Sequence, residues 1–319
     1  MRTVHFVMQS KGGVGKSFTA WLLSQYLLEK HGDDFAAFDT DTSNRTLSQF
    51  KSLPVRELQL SPDNMEIDPR RFDTMMEQLL TEEKDFVIDT GSNTFNALWK
   101  YMVENDAMRM LEESGKRVIL HSILVGDQAL VDTLNSLALL CKYSTKDKSV
   151  VVWLNEKYGK VEKDGKRFEE MKVFKEHESK LLDVLRIAAG TAATEGEDLR
   201  QITSAHQTFA EADSSPGYSL MARQRLRLFK RKVWEEISRV APAAAAQPGR
   251  AAAPRVARVD HCRRLAARAD APDAQPCAIR WLCRAGGTGN GHLADPLPAQ
   301  PLQRALRVGA RNGEPARLS

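Results

Sequence analysis

The run Val4-His5-Phe6-Val7-Met8-Gln9-Ser10-Lys11-Gly12-Gly13-Val14-Gly15-Lys16-Ser17, followed by the helix-like stretch Phe18 to Lys30, decides the fold. An apolar strand, a glycine-rich loop and a helix in that order are the context a phosphate-binding loop needs. Glycines let the backbone approach a phosphate closely, because no Cβ stands in the way. The loop N–H groups then turn inward, and the helix N-terminus adds a partial positive charge. Lys16 can reach the β- and γ-phosphates of a nucleotide, and the Ser17 hydroxyl can ligate Mg²⁺. The usual G-x-x-x-x-G-K-[ST] pattern is broken at its first position, which is Ser10, and a second lysine, Lys11, opens the loop. The bland alternative, a glycine-rich turn between strand and helix, leaves the Gly15-Lys16-Ser17 ending unexplained.

Working outward, short apolar strands alternate with amphipathic helices. Strands are expected at Val4–Met8, Phe35–Asp39, Phe86–Ile88, Val118–Val125, Val150–Leu154 and Leu182–Ile187. Helices are expected at Phe18–Lys30, Arg70–Leu80, Thr94–Glu113, Gln128–Cys141 and Leu220–Val240, from apolar residues at three- and four-residue spacing. The region around Pro54, Pro62 and Pro69 reads as loop, as does the charged segment Tyr158–Arg167. Alternating strand and helix units imply an α/β fold, a mostly parallel sheet with helices on both faces. Ligands of such sheets bind beyond the carboxyl ends of the strands. The phosphate loop, Asp39-Thr40-Asp41, Asp89 and Asn155 all fall at such ends.

Phe86-Val87-Ile88-Asp89 is an apolar strand closed by a carboxylate. Downstream of a phosphate loop, Asp89 is placed to orient water on Mg²⁺, which prefers oxygen ligands and keeps several waters. A strand-capping Asp is the competing reading. Asp39-Thr40-Asp41-Thr42-Ser43-Asn44 is either a second carboxylate set or an Asx-rich turn. Gly91-Ser92-Asn93-Thr94 can start a helix, with a polar cap among its last three residues. Asn155 is either a turn former or an amide able to donate to and accept from adenine. His5 and His121 lie in strand-like runs and read as packed histidines, and Cys141 as a small core residue.

The lysine pair in Lys11-Gly12-Gly13-Val14-Gly15-Lys16-Ser17 resembles the deviant Walker A motif of the ParA/MinD group of P-loop ATPases. That resemblance implies ATP and Mg²⁺ as cofactors and Gly12, Gly13, Val14, Gly15, Lys16, Ser17 and Phe18 as nucleotide contacts. It implies that Lys16 acts on its own nucleotide, while Lys11 crosses a homodimer interface to the nucleotide of the other subunit. Asp39 would join Ser17 and Asp89 around Mg²⁺, and Asp41 would position the attacking water. Asn44 and Gly91 would sense the γ-phosphate, and Asn155 would read adenine. The family commonly continues its D-x-D segment with Pro-Gln; here Thr42-Ser43 stands instead. Within the group the chain is most similar to TraL-type conjugal-transfer ATPases, through Gly15-Lys16-Ser17-Phe18, Asp39-Thr40-Asp41 with Asn44, Lys172-Val173-Phe174-Lys175-Glu176-His177 and Thr208-Phe209-Ala210-Glu211-Ala212. That implies a Mg²⁺-dependent ATPase working as an ATP-driven dimerisation switch in plasmid transfer beside a type IV secretion system. A conjugation or secretion-apparatus protein is the implied partner. The alternatives are an ATP-binding adaptor with negligible hydrolysis and a ParA-like partitioning ATPase that binds nonspecific DNA.

The composition divides the chain. The whole carries 46 basic and 42 acidic residues, a net +4. Residues 241–319 hold twelve Arg, no Lys and five acids, a net +7, which leaves −3 for residues 1–240. Nine of thirteen prolines and three of four cysteines also lie beyond residue 240. We therefore expect a P-loop ATPase domain over 1–240 and an Ala/Arg/Pro-rich tail over 241–319, disordered or read from a shifted frame. An arginine-rich tail for acidic partners is the alternative. Cys262, Cys277, Cys283, His261 and His292 have no usual zinc spacing. The absence of a leader, and of any apolar run near the ~18 residues of a membrane span, points to a cytoplasmic location. The helix over 220–240 has an apolar stripe of Ala222, Leu226, Phe229, Val233, Ile237 and Val240, with basic residues around it. Packing onto the sheet is its first reading; peripheral contact with the inner membrane and docking to an acidic partner are the others.

Overall fold

The computed structural model describes residues 1–60 and 67–241, apart from the Tyr158 side chain. The tail, its cysteines and histidines, and Pro62 lie outside the described residues. Seven parallel strands form the main sheet in the order β3-β2-β4-β1-β5-β6-β9. They are β1 Thr3–Val7, β2 Phe35–Asp39, β3 Val55–Glu57, β4 Asp85–Asp89, β5 Arg117–Val125, β6 Val150–Asn155 and β9 Leu181–Ile187. Strand β1 lies between β4 and β5, so the chain leaves it toward one edge and later returns to build the other. Such a reversal opens a crevice at the carboxyl end of the central strand.

Burial on both faces explains why the strands read as nearly unbroken apolar runs. On one face Val4, Phe6, Phe38, Phe86, Ile88 and Leu120 meet helices α2 Arg71–Thr81, α3 Phe95–Glu104, α4 Ala107–Glu113 and α5 Leu130–Tyr143. On the other, Val7, Ala37, Val87, Ile119, Ile123 and Trp153 meet α1 Lys16–His31, α8 Phe209–Ser214 and α9 Leu220–Ser238. Helix α7 Glu195–Ser204 adds Ile202 to that face. The stripe along α9 is buried as read: Ala222, Leu226, Phe229, Val233, Ile237 and Val240 all lie in this core.

The structure corrects several expectations. The helix expected over Thr94–Glu113 is two, broken at Asn105-Asp106, where Asp106 takes a left-handed φ of 49°. The proline-punctuated loop contains β3, whose three residues are too few to show a periodicity. The loop Tyr158–Arg167 contains a short hairpin, β7 Glu162–Lys163 with β8 Lys166–Arg167. Helices α6 Lys172–His177, α7 and α8 complete the described elements.

Strand β9 ends the sheet, and α9 closes its open side. The Arg186 N–H donates to the Glu236 carboxylate at 2.9 Å, and Arg239 pairs with Asp183 and reaches the Val184 carbonyl. On the α1 face a polar row crosses three strands: Trp153 Nε1 donates to His121 Nδ1, and His121 Nε2 lies 2.9 Å from His5 Nδ1. Because His121 Nδ1 accepts, its Nε2 carries the proton of the neutral ring and donates to His5. Burial lowers both histidines, His5 to about 3 with help from the charges of Arg117 and His31. These are packed histidines within the core. Cys141 is buried in the opposite core, where burial pushes its thiol up to about 12.

Candidate functional site

The loop after β1 turns through Gly13 at φ 76° and Gly15 at φ 100°, backbone that side chains rarely adopt. A Cβ on Gly15 would also lie 2.8 Å from Asn155 Nδ2. Helix α1 begins at Lys16 with no side-chain cap, so its first N–H groups face the loop uncapped. Lys16 is buried, and its Nζ donates to the Lys11 carbonyl at 2.9 Å across the loop. Burial lowers its pKa, while the charges of Asp89 and Asp41 act in the other direction.

Two side chains brace the loop from outside. Gln9 Nε2 donates to the Ile123 carbonyl at 2.9 Å, and Asn155 Nδ2 donates to the Val14 carbonyl at 2.9 Å. Asn155 Oδ1 also accepts from the Lys157 N–H at 3.2 Å, the turn-forming role weighed for it. Its amide therefore already grips protein backbone at both ends. Ser10, at the departed first position, shares a hydrogen bond with Ser136 of α5 at 2.6 Å. Exposed Lys11 pairs with Asp132 of the same helix at 2.9 Å. Neither α5 partner carries a motif, so sequence reasoning missed both.

Asp89 closes β4 beside this loop. It is completely buried, and among the described residues neither carboxylate oxygen makes a well-formed hydrogen bond, the Ser17 hydroxyl being the one donor that bears on it. Burial pushes its pKa up to about 8, aided by the charge of Asp39; the Ser17 hydroxyl and Lys16 ammonium pull it down. Asp39 is buried too and raised by burial, although the N–H groups of Ser48 and Asp41 donate to its two oxygens. Asp41 is half-exposed and accepts the N–H groups of Ser43 and Asn44 on one oxygen, at 2.9 and 3.0 Å. This is the Asx turn expected from the sequence, and it leaves the second oxygen free of that turn. Asn44 is exposed at the end of it.

Gly91 sits against Asp41. A Cβ there would fall 2.5 Å from Asp41 Cγ and 2.4 Å from Asn93 Oδ1, so a side chain at this position would push those two groups aside. Phe18 differs from its loop neighbours: its ring packs on Trp21 and Phe229, which leaves its backbone, not its side chain, for any ligand. The fold thus gathers Lys11, Gly12, Gly13, Val14, Gly15, Lys16, Ser17, Asp39, Asp41, Asn44, Asp89, Gly91 and Asn155 at one end of the sheet.

Among the described residues no three His, Cys, Asp or Glu side chains form a ready metal cage. A Mg²⁺ ion, which prefers oxygen ligands and keeps several waters, needs only one or two protein carboxylates. The poorly satisfied, buried oxygens of Asp89 beside Ser17 are the donor set that fits it.

Protein TraL of Escherichia coli is 34% identical to this chain over 241 residues, which cover 76% of this chain and 99% of that protein. No protein-family model matches. A ParA family ATPase from Chlorobium tepidum TLS superposes with a TM-score of 0.45 at 13% identity, over 72% of this chain and 97% of that one. The septum site-determining protein MinD complexed with Mg-ADP from Pyrococcus horikoshii OT3 gives 0.45 at 18%, over 77% and 100%. These overlays are loose; the fold class stands on the strand order and the two covered faces.

Proposed function

The chain belongs to the TraL family, and on that premise we propose that it is a Mg²⁺-dependent ATPase acting as an ATP-driven dimerisation switch in conjugal plasmid transfer, beside a type IV secretion system. Residues 1–240 are the ATPase domain in this reading, and 241–319 an added segment. The observation that carries it is the pairing of a glycine-turned loop and uncapped helix start with a buried carboxylate that no well-formed hydrogen bond satisfies. A phosphate chain on the loop and a cation beside Asp89 would satisfy both.

Catalysis of phosphoryl transfer rests on positioning and charge stabilisation. Lys16 and the α1 N-terminus hold the phosphates. Ser17, Asp39 and Asp89 would hold Mg²⁺, whose bound charge offsets that of the β- and γ-phosphates. Asp41 directs the attacking water with its free oxygen, and Asn44 and Gly91 lie where the γ-phosphate ends. For Lys11 to reach a second subunit it must leave Asp132. Adenine contact by Asn155 must share its amide with the Val14 carbonyl.

The membrane reading of α9 loses its motive, because its apolar stripe is already committed to the core. Arg225, Arg227 and Lys230 are paired with Asp198, Asp213 and Glu29, so any DNA contact by α9 would draw on its other basic residues. No helix among the described residues is long and apolar enough to cross a membrane.

The test is the solution molar mass of the full chain carrying Asp41→Ala, in Mg-ADP and in Mg-ATP. A monomer in the first and a dimer in the second is the expected result. One mass in both, with ATP shown to be bound, overturns the switch in favour of the adaptor.

A further inference from the structure

Thr42-Ser43 is where the chain departs from the resembled pattern, and the two hydroxyls have a common partner. The Asn93 side-chain amide donates to Thr42 Oγ1 at 2.7 Å and to Ser43 Oγ at 2.8 Å. Both hydrogens of one amide are therefore spent on the loop after β2, although Asn93 belongs to the loop after β4. A proline at position 42 would offer no side-chain acceptor at all.

The same two loops meet at a second point. Gly91 lies so close to Asp41 and to Asn93 Oδ1 that a single added carbon would collide with both. Asp41 in turn fixes its own loop through the N–H groups of Ser43 and Asn44. Gly91, Asn93, Asp41, Thr42 and Ser43 form one polar cluster across two loops. Ser43 and Asn93 are exposed and Thr42 half-buried, so this clasp contributes little to the core and is free to open.

We propose that Asn93 is a positioning residue that ties the loop bearing Asp41 to the loop bearing Gly91, so that the two answer the γ-phosphate as one unit. This rests on the ATPase reading above. A γ-phosphate drawn to the Gly91 N–H shifts its loop; through Asn93 the shift carries the Thr42-Ser43 turn, and with it the Asp41 carboxylate. Without the clasp, ATP still binds through the phosphate loop, but the carboxylate that directs water is no longer set by the ligand.

The test uses the full chain and four variants: Asn93→Ala, Thr42→Val/Ser43→Ala, all three changes together, and Thr42→Ser. Hydrogen exchange of amides 42–46 without nucleotide reads the clasp independently of turnover. Asn93→Ala should speed that exchange about tenfold, the loss of two exposed hydrogen bonds. The hydroxyl double variant should match it, the combined variant should add nothing, and Thr42→Ser should restore the original rate. With ATP, Asn93→Ala should lower kcat about tenfold and leave KM within about twofold, the signature of lost positioning.

Unchanged exchange in Asn93→Ala overturns the proposal, as does an additive effect in the combined variant. A lower kcat with unchanged exchange overturns it too, and puts Asn93 on the substrate directly. If the unaltered chain neither binds nor hydrolyses ATP, the ATPase reading fails, and exchange alone decides whether the two loops are joined.

Discussion

At the carboxyl end of the sheet ionisable groups are buried and short of partners; along α9 most basic groups are half-buried or exposed and paired. Asp89 keeps two buried oxygens without a well-formed hydrogen bond, and Lys16 turns to a backbone carbonyl of its own loop. Along α9, Arg225, Arg227, Lys230 and Arg239 each find a carboxylate of the same chain. Burying a charge without a partner is expensive. A fold that pairs most charges of a packing helix yet leaves Asp89 poorly satisfied at one sheet end has room there for a ligand to complete it. The two regions should therefore respond differently to substitution: α9 through stability, the sheet end through ligand binding.

The largest expected effect lies on α9. Phe229 is buried against Phe18 and Phe209, so Phe229→Ala should cost about 3–5 kcal/mol and lower Tm by about 10 °C. A thermal melt within a degree or two of the unaltered chain would break the view of α9 as a core helix.

Lys16→Ala should do the reverse, weakening ATP binding by about 100-fold or more, near 3 kcal/mol. It should not lower Tm without nucleotide, since the buried ammonium is lost with its desolvation cost. Calorimetric titration with Mg-ATP and a melt of the same sample check both halves. ATP affinity like that of the parent chain would place the phosphates elsewhere.

A buried polar group that is satisfied by its neighbours gives the next contrast. His5 and His121 stay neutral in the fold because their pKa values are held below the unfolded value near 6.5. Their contribution is fully present above pH 6.5 and is lost as pH falls from there toward about 3, where His5 titrates in the fold. Between pH 6.5 and 5 His5 should cost about 2 kcal/mol of stability, and His121 acts in the same direction. Urea unfolding across that window measures the slope, and His5→Phe should make it shallower. A flat profile from pH 7 to 5 would mean that the histidine row is hydrated and outside the core.

The smallest effect sharpens the comparison at its dull end. Among the described residues Arg231 on α9 has no acidic partner, and Arg231→Ala should change unfolding free energy by no more than about 0.5 kcal/mol. A larger change would reveal a role for the free basic face that packing does not explain.

The parts of this architecture legible in the sequence are those where one local pattern suffices. The strand ending at Asp39, the strand ending at Asp89 and the phosphate loop each declare themselves within about ten residues. Their meeting at one sheet end follows from parallel order. What stayed hidden depends on distance along the chain or on too few residues. Val55–Glu57 shows no period in three residues, yet it extends the sheet because Ala37, Phe38 and Asp39 offer it an edge. The break at Asn105-Asp106 rests on one left-handed residue inside an otherwise helical run, a conformation Asp tolerates. The contacts of Lys11 with Asp132 and of Asn93 with Thr42 and Ser43 span 121 and about 50 positions, and no spacing rule reaches that far. Asn155 shows both limits: its place at a strand end was readable, but its grip on the Val14 carbonyl was not.

The seal that α9 lays along β9 has a consequence for how much of the chain must be made. Glu236 and Arg239 occupy backbone groups that would otherwise recruit a strand from another molecule. They lie at the last turn of the last described helix. A nascent chain stopped before Glu236 would hold the whole phosphate loop and every strand of the sheet, yet present an adhesive edge. Solubility would then be lost while the phosphate loop is still complete, and a premature stop in this short stretch would show itself as aggregates.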